Sequence, residues 1–339
     1  SPLFQKPGRT KCPVGIVGPA CSLDPPLLVA PHAVLGPDGV KHSWGLVLEK
    51  GRFKETGELE DLANRYAGAA RQDLPGRLIM PGFVDSHQHL AQAFGKALAF
   101  GEPSEIFQRI WVPLEGFLTE ELIYLSAKLA AFEALRGGFT TVADAGARNA
   151  NDLGLLAQAV EEVGLRCVLG FICNNFPNSP NPPDSGQILN NSEKHLKRFD
   201  GRDLITPSLA VSIPECAGDS MLKAVYERCR EAGRVFQTHV NEHLVAVERS
   251  IVARRLRPLE HLAKAGALGP ATVCAHSTLV TPLELNLLRD SGAAVSYNPV
   301  ASCWKGNAVC PAWQMQAMDI RLGLGTDGTR NDGFRLVDA

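Results

Sequence analysis

The chain has 339 residues, of which 45% are hydrophobic and 21% are charged, and its formal net charge is −2. This length allows one large domain, or one large and one small domain. The nearly balanced charge gives no electrostatic reason to expect binding to nucleic acid or to an anionic membrane. No apolar run is long enough to span a bilayer, and residues 1–15 lack the pattern of a signal peptide. We therefore expect a cytoplasmic protein.

Residues 1–76 are short β-like segments broken by proline and glycine, and they predict a small β domain. From residue 77 to 339 an apolar strand, a loop and an amphipathic helix follow one another repeatedly, at a spacing of roughly 30 residues. The first long helix is predicted to begin at Thr119, which can cap it, and to stop at Gly137 and Gly138. Residues 175–186 hold several prolines and predict a loop.

The second part of the chain contains eight strand candidates and seven intervening helices. Such alternation predicts parallel strands joined by crossover helices. Eight units favour a closed (β/α)₈ barrel of the TIM type, whereas fewer true strands would leave an open, doubly wound sheet.

The segment RLIMPGFVDSHQHL carries two histidines, His87 and His89, at the end of the first predicted strand. Residues two apart on a strand point to the same face, so both imidazoles can reach one metal ion. Later predicted strands end at His239, His276 and Asp327. These are the fifth, sixth and eighth strands, and only a closed barrel places the first and eighth side by side. Imidazole and carboxylate together suit a borderline metal such as zinc.

Glu242 lies three residues after His239, where a carboxylate can move protons without binding the metal. Asp327 can bind the metal and also accept a proton from its water molecule. His276 can be a fourth ligand, or it can hydrogen-bond the attacking hydroxide. One metal is favoured, although Glu215 leaves a bridged pair open.

The run HVNEH permits a rival interpretation, because H-x-x-E-H is the inverted metalloprotease motif. That motif needs His239 and His243 on one helix face. His239 instead closes a β-like apolar run, so we expect His243 in a loop or at a helix start. The nine cysteines include no C-x-x-C pair, and we interpret them as small buried hydrophobic residues.

The chain resembles the amidohydrolase superfamily, and within it the mononuclear aminohydrolase branch of deaminases and triazine hydrolases. The motifs that carry the resemblance are MPGFVDSHQH, GGFTTVADAG, THVNEH, CAHSTLV, YNPVAS and GLGTDG. The resemblance implies a barrel with a flanking β-sandwich, of which residues 1–76 would be the N-terminal part. It also implies that zinc or iron(II) binds to His87, His89, His239 and Asp327. Glu242 would carry protons and His276 would orient hydroxide.

Members of this superfamily usually continue past the eighth strand, so we expect either a C-terminal continuation or a partner chain that completes the small domain. Gln92, Glu215 and Trp304 are candidates for contacts with the substrate. We expect hydrolytic deamination of an amino-substituted aromatic N-heterocycle, namely a purine, pterin, pyrimidine or triazine. Dechlorination or cyclic-amide hydrolysis at the same site is the alternative, and a non-catalytic binding barrel is a more remote one. We also expect a homo-oligomer, specifically a dimer.

Overall fold

The computed structural model describes residues 25–95, 98, 107–148, 152–304, 306 and 308–328. The chain divides into two compact units, one ending at Pro81 and the other beginning at Gly82. The domain boundary predicted from the sequence, after residue 76, stays a prediction. Among the described residues, no helix combines the length and the apolar character needed to span a bilayer.

From residue 25 onwards, where the structure describes it, the first unit is a five-stranded sheet with one helix. Its elements are β1 (Leu27–Gly36), β2 (Gly39–His42), β3 (Trp44–Glu49), β4 (Arg52–Glu58), α1 (Leu59–Arg65) and β5 (Ala70–Ile79). The strands lie in the order β2-β1-β3-β4, and β5 pairs in parallel with β1. Gly39 has a φ of +99°, which permits the tight turn between β1 and β2. Leu28, Val47 and Leu62 are buried together and attach α1 to the sheet.

The described residues of the second unit contain eight strands in one parallel sheet, in sequence order. They are β6 (Phe83–Gln88), β7 (Phe139–Asp144), β8 (Arg166–Ile172), β9 (Ile205–Val211), β10 (Phe236–Val240), β11 (Thr272–His276), β12 (Ala294–Tyr297) and β13 (Arg321–Leu324). All eight coincide with predicted strands.

Ten α-helices are described in this unit. They are α2 (Val112–Phe117), α3 (Glu120–Arg136), α4 (Gly154–Val163), α5 (Ser185–Arg198), α6 (Asp219–Glu231), α7 (Leu244–Arg254), α8 (Pro258–Lys264), α9 (Pro282–Ser291), α10 (Pro299–Trp304) and α11 (Ala312–Ala317). Shorter helical turns lie at Leu90–Gly95, Phe107–Trp111 and Pro214–Cys216.

Contacts between the first and last strands of this sheet close the barrel. A parallel bridge joins Gln88 to Asp327, and the backbone N–H of Asp327 donates to the carbonyl of His87 at 2.9 Å. The hydroxyl of Ser86 donates to the carbonyl of Leu324 at 2.8 Å. The predicted (β/α)₈ barrel is therefore confirmed, and the open sheet is excluded.

Helix α3 shows how the sequence sets one of these elements. Thr119 caps it by accepting the backbone N–H of Leu122 at 3.3 Å, and Gly137 ends it, as predicted. Its barrel-facing side is built of small residues that are fully buried: Ala127, Ala130, Ala131 and Ala134. A larger side chain on this face would overpack it, at a cost of about 1–3 kcal/mol.

Candidate metal centre

His87 and His89 lie where strand β6 ends. His87 belongs to the strand and His89 follows it by one residue, and both are buried. Their rings face each other edge to face, with centroids 4.9 Å apart. The alternation of a β-strand thus places both imidazoles in the mouth of the barrel.

The other candidate ligands reach the same place from distant strands. His239 is on β10, His276 is the last residue of β11, and Asp327 follows β13. One side-chain nitrogen or oxygen from each of His87, His239, His276 and Asp327 lies within 4.8 Å of the others. His89 joins this group, since its Nε2 is 3.1 Å from Nε2 of His239 and 3.5 Å from Oδ1 of Asp327.

These separations suit ligands that share one ion. Nitrogen and oxygen ligands about 2.0–2.1 Å from zinc lie roughly 3.4 Å apart in a tetrahedral arrangement. Nε2 of His87 is 3.5 Å from Oδ1 of Asp327, and the two distances from His89 Nε2 are similar. The Nε2 atom of His87 is buried and has no hydrogen-bond partner among the described residues. A buried polar atom of this kind needs a partner, and a metal ion would supply it.

Burial keeps the imidazoles of His89 and His239 neutral, as metal binding requires. Burial lowers the pKa of His89 well below its ordinary value, and the neighbouring His87 and His239 lower it further. Burial likewise lowers the pKa of His239 to about 4, with His87 adding to the effect. His239 donates from Nδ1 to the carbonyl of Ser212 at 2.6 Å, which leaves the Nε2 lone pair directed at the centre. The donor set indicates a single divalent metal ion.

Three residues that end strands at the centre have left-handed backbones. The φ angles are +50° at Asn241, +72° at His276 and +64° at Asp327. This conformation is uncommon outside glycine, and it persists only where surrounding contacts hold it. It turns the chain sharply at each strand end and directs the side chain of His276 or Asp327 inward.

Asp85 ties together the two strands that carry His87 and Asp327. Its Oδ1 accepts the backbone N–H groups of His87 at 3.2 Å and Thr326 at 3.0 Å. Its Oδ2 accepts the Thr326 hydroxyl at 2.6 Å and the Gln88 amide at 3.0 Å. Burial raises the pKa of Asp85 to about 6, while the hydrogen bonds from Thr326 oppose that rise. This role of Asp85 was not predicted from the sequence, although Asp85 and His87 stand two apart on one strand face.

The proposed proton carrier lies beside the histidines. Oε1 of Glu242 is 3.7 Å from Nε2 of His276. His243, the next residue, caps helix α7, and its Nδ1 accepts the backbone N–H of Ala246 at 3.2 Å. Because His239 is on a strand and His243 only starts a helix, the two do not share a helix face. The interpretation of this run as an inverted metalloprotease motif is therefore wrong. The position of His243 at the start of a helix, which the sequence predicted, is confirmed.

A cavity of about 330 Å³ opens onto the centre, and its lining includes Gln92, Glu215 and Glu242. Gln92 donates to Oε1 of Glu115 at 2.7 Å, and one oxygen of the Glu215 carboxylate is buried with no hydrogen-bond partner among the described residues. Trp304 is the last residue of α10, but its side chain lies outside the described part of the structure.

A buried ion pair next to Gln92 was not predicted from the sequence either. Glu115, 2% exposed, accepts the backbone N–H of Arg148 at 2.9 Å and pairs with its guanidinium group. Arg148 lines the cavity. A single acid in a short helix carries no sequence signal for burial, so only the fold reveals this pair.

Known proteins resemble the chain along most of its length. It is 29% identical over 322 residues to a 5'-deoxyadenosine deaminase of Methanobrevibacter smithii, covering 93% of this chain and 71% of the relative.

Two solved structures share the fold. An adenosine deaminase from Xanthomonas campestris with bound zinc has a TM-score of 0.78 at 21% identity, covering 91% of this chain and 70% of that one. A guanine deaminase from C. acetobutylicum with bound guanine has a TM-score of 0.80 at 16% identity, covering 92% and 76%.

The model of the amidohydrolase family matches residues 78–336, which include the barrel strands and all the residues of the centre. The match agrees with the ordered motifs of the sequence and with the geometry at the barrel mouth. The chain belongs to the amidohydrolase family.

Proposed function

We propose that the chain is a metal-dependent hydrolase that removes ammonia from an amino-substituted aromatic N-heterocycle, with an aminated purine as the first candidate. The observation that carries the proposal is the convergence of the buried histidines, Asp327 and Glu242 at one cavity. The deaminases among its relatives act on adenine- or guanine-containing compounds, according to their names.

In this proposal His87, His89, His239 and Asp327 hold the metal ion. Three imidazoles and one carboxylate suit zinc, and the X. campestris relative contains zinc. Bound there, the ion would lower the pKa of a water molecule towards neutrality and so supply hydroxide.

Glu242 is the proposed proton carrier. A carboxylate at the cavity wall can accept a proton from the attacking water and deliver it to a ring nitrogen. Protonation of the nitrogen makes the adjacent carbon a better electrophile. Glu242 can then take the remaining proton from the hydroxyl group of the tetrahedral adduct and pass it to the exocyclic amine, so that the carbon–nitrogen bond breaks, ammonia leaves and the carbonyl forms.

The contacts of His276 support the hydrogen-bonding role over the role of fourth ligand. The amide nitrogen of Asn298 lies 3.2 Å from Nδ1 of His276 and donates to it. A neutral imidazole whose Nδ1 accepts a hydrogen bond carries its proton on Nε2. That nitrogen faces two carboxylates, Glu242 at 3.7 Å and Asp327 at 4.0 Å. His276 can therefore donate to the attacking water and to the oxygen of the tetrahedral adduct.

The cavity accommodates a small ligand. Its volume of about 330 Å³ is at the low end of the range for small-molecule sites, about 300–1,000 Å³. Gln92 and Glu215 are the proposed substrate contacts, and the buried oxygen of Glu215 can accept a hydrogen bond from a ring N–H or an amine. The predicted homodimer stays a prediction, which sedimentation velocity can test.

An ammonia-release assay on the zinc-loaded protein tests the function. The panel contains adenosine, 5'-deoxyadenosine, guanine, an amino-substituted pterin, cytosine and an amino-substituted triazine. We expect ammonia from at least one compound, loss of the rate after chelation, and its return with zinc.

If no panel member releases ammonia but a chlorinated ring or a cyclic amide is hydrolysed, the deaminase proposal fails and the hydrolase assignment survives. A metal-loaded protein that hydrolyses none of these compounds would support a binding barrel instead.

A further inference from the structure

Asn241 directly precedes Glu242, has no part in the proposed chemistry and is at the centre of a buried network. It is 1% exposed. Its Oδ1 accepts the backbone N–H of Leu259 at 3.2 Å, at the start of helix α8. Its Nδ2 donates to the carbonyl of Leu279 at 3.0 Å and to Oε1 of Glu284 at 2.7 Å. Both hydrogens and the oxygen of its side-chain amide are thus hydrogen-bonded, each to a different segment of the chain.

Glu284 and Arg257 complete the network. The Glu284 side chain is fully buried, and its Oε2 accepts Nε of Arg257 at 2.8 Å and the backbone N–H of Thr281 at 2.9 Å. Arg257 also donates to the carbonyl of Leu279. A carboxylate in this position is costly to bury unless its partners are kept in place. The network therefore favours one orientation of the Asn241 amide, because Glu284, which accepts from it, is itself bonded to Arg257 and Thr281.

The backbone on both sides of Glu242 is attached to the loop that follows β11. The single hydroxyl hydrogen of Thr278 is shared between two carbonyls, since its Oγ1 lies 2.9 Å from the oxygen of Asn241 and 2.7 Å from that of Glu242. The backbone N–H of Leu279 donates to the carbonyl of Asn241 at 3.0 Å. This loop directly follows His276, which itself has a left-handed backbone. The same contacts therefore set the position of Glu242 relative to His276.

We propose that Asn241, held by the buried Glu284–Arg257 pair, is a positioning residue that fixes the Glu242 carboxylate for proton transfer beside His276. This inference rests on the proposed role of Glu242. Asn241 touches none of the reacting atoms in this account, and it acts through the peptide that joins it to Glu242. Asparagine also suits the left-handed backbone at this site better than most residues.

A double-mutant cycle on the zinc-loaded full chain tests the proposal. Asn241→Gly removes the side-chain contacts without straining the left-handed backbone. It is combined with Glu242→Gln, and ammonia release from 5'-deoxyadenosine is measured for all four proteins. We expect Asn241→Gly to lower kcat by about 10–100-fold in the wild-type background, because a misplacement of roughly 1 Å can cost about 10²-fold. In the Glu242→Gln background it should change kcat by less than about 2-fold, since the two residues act as a unit.

Two further variants distinguish a loss of positioning from a general loss of stability. Thr272→Val is the matched control: Thr272 is fully buried at the start of β11, where its hydroxyl donates to the carbonyl of Ala267 at 2.8 Å. It should lower stability without lowering kcat. Glu284→Gln keeps the volume of the side chain. It should lower kcat in the wild-type background but not in the Glu242→Gln background, as Asn241→Gly does, with a smaller loss of kcat. This variant therefore tests the proposal even if Asn241→Gly does not fold.

Hydrogen exchange gives a readout that needs no substrate. The amides of Leu259 and Leu279 lose structural support in Asn241→Gly and should exchange faster, as should the amide of Glu242, while Thr272→Val leaves all three unchanged. Equal losses of kcat in both backgrounds, or unchanged exchange at these amides, would overturn the inference. If the wild type releases no ammonia, the proposed function fails separately, and the exchange data still decide whether Asn241 orders the loop.

Discussion

The Nε2 atoms of His89 and His239 lie 3.1 Å apart, although 150 positions separate the two residues in the sequence. Two neutral imidazoles in contact through these nitrogens need either a shared proton or a shared cation. The Asp327 carboxylate 3.5 Å from His89 favours the cation, because it adds a third ligand atom of opposite charge. The close approach of His89, His239 and Asp327 therefore predicts a bound metal ion.

Purified protein is expected to contain about one zinc or iron ion per chain. His87→Ala and His89→Ala should each lose most of the metal, because each leaves the site one imidazole short. Elemental analysis after dialysis against a weak chelator measures the occupancy. His42→Ala, at an exposed histidine of β2, is the control and should keep full occupancy. Full occupancy in the His87→Ala/His89→Ala double variant would refute the ligand assignment.

Glu242→Gln should keep its metal and its fold but lose kcat by roughly 10²–10⁴-fold, the usual contribution of general acid–base catalysis. The amide has nearly the same shape as the carboxylate but cannot carry a proton. Metal content, thermal unfolding and ammonia release are measured on the same preparation. Glu248→Gln, on the exposed side of helix α7, is the matched control and should behave as the wild type. A wild-type rate in Glu242→Gln with the metal present would assign the proton transfer to another residue.

Asp85→Asn should weaken both the fold and the metal site. The four donors around Asp85 would meet an amide that has only one acceptor atom, which leaves buried groups unsatisfied at a cost of about 1–3 kcal/mol. Metal affinity should fall by about 10–100-fold, as for other residues that orient ligands. Chemical denaturation and competition with a chelator measure the two effects. Asp290→Asn, at an exposed aspartate of α9, should change neither, and a normal metal affinity in Asp85→Asn would contradict its role as an anchor.

His195 should make the stability of the chain depend on pH. Its imidazole is buried between Phe171 and Phe199, and its Nε2 donates to the carbonyl of Leu169 at 3.0 Å. Burial lowers the pKa of His195 to about 4, so the folded state holds fewer protons than the unfolded state between about pH 6.5 and pH 4. The associated stability is fully present above pH 6.5 and is lost as the pH falls through that range.

His195→Gln keeps a donor for the carbonyl of Leu169 but cannot be protonated. Between pH 7 and pH 4 the wild type should lose up to about 3 kcal/mol more free energy of unfolding than the variant does. Urea unfolding at several pH values measures this difference, in which other titrating groups cancel. Parallel stability curves for the two proteins would contradict the prediction.

The repeating pattern of apolar strands and amphipathic helices was sufficient to predict the barrel. Burial of one helix face and both strand faces sets the hydrophobic periodicity, and periodicity is a local property that can be read from the chain. The same local rule placed His87 and His89 on one face, and the chemistry of the later strand ends identified His239, His276, Asp327 and Glu242. The helix signals at Thr119 and Gly137 are equally local.

Only the tertiary structure decided how these residues are held and what surrounds them. Asp85 meets Thr326 across 241 positions, Asn241 meets Glu284 across 43, and Arg148 meets Glu115 across 33. Such pairs depend on closure of the barrel and on the paths of loops with left-handed turns at Asn241, His276 and Asp327. Hydrophobic periodicity carries no information about those turns, because a side-chain hydrogen bond between distant loops depends on their distance and direction rather than on the spacing of apolar residues.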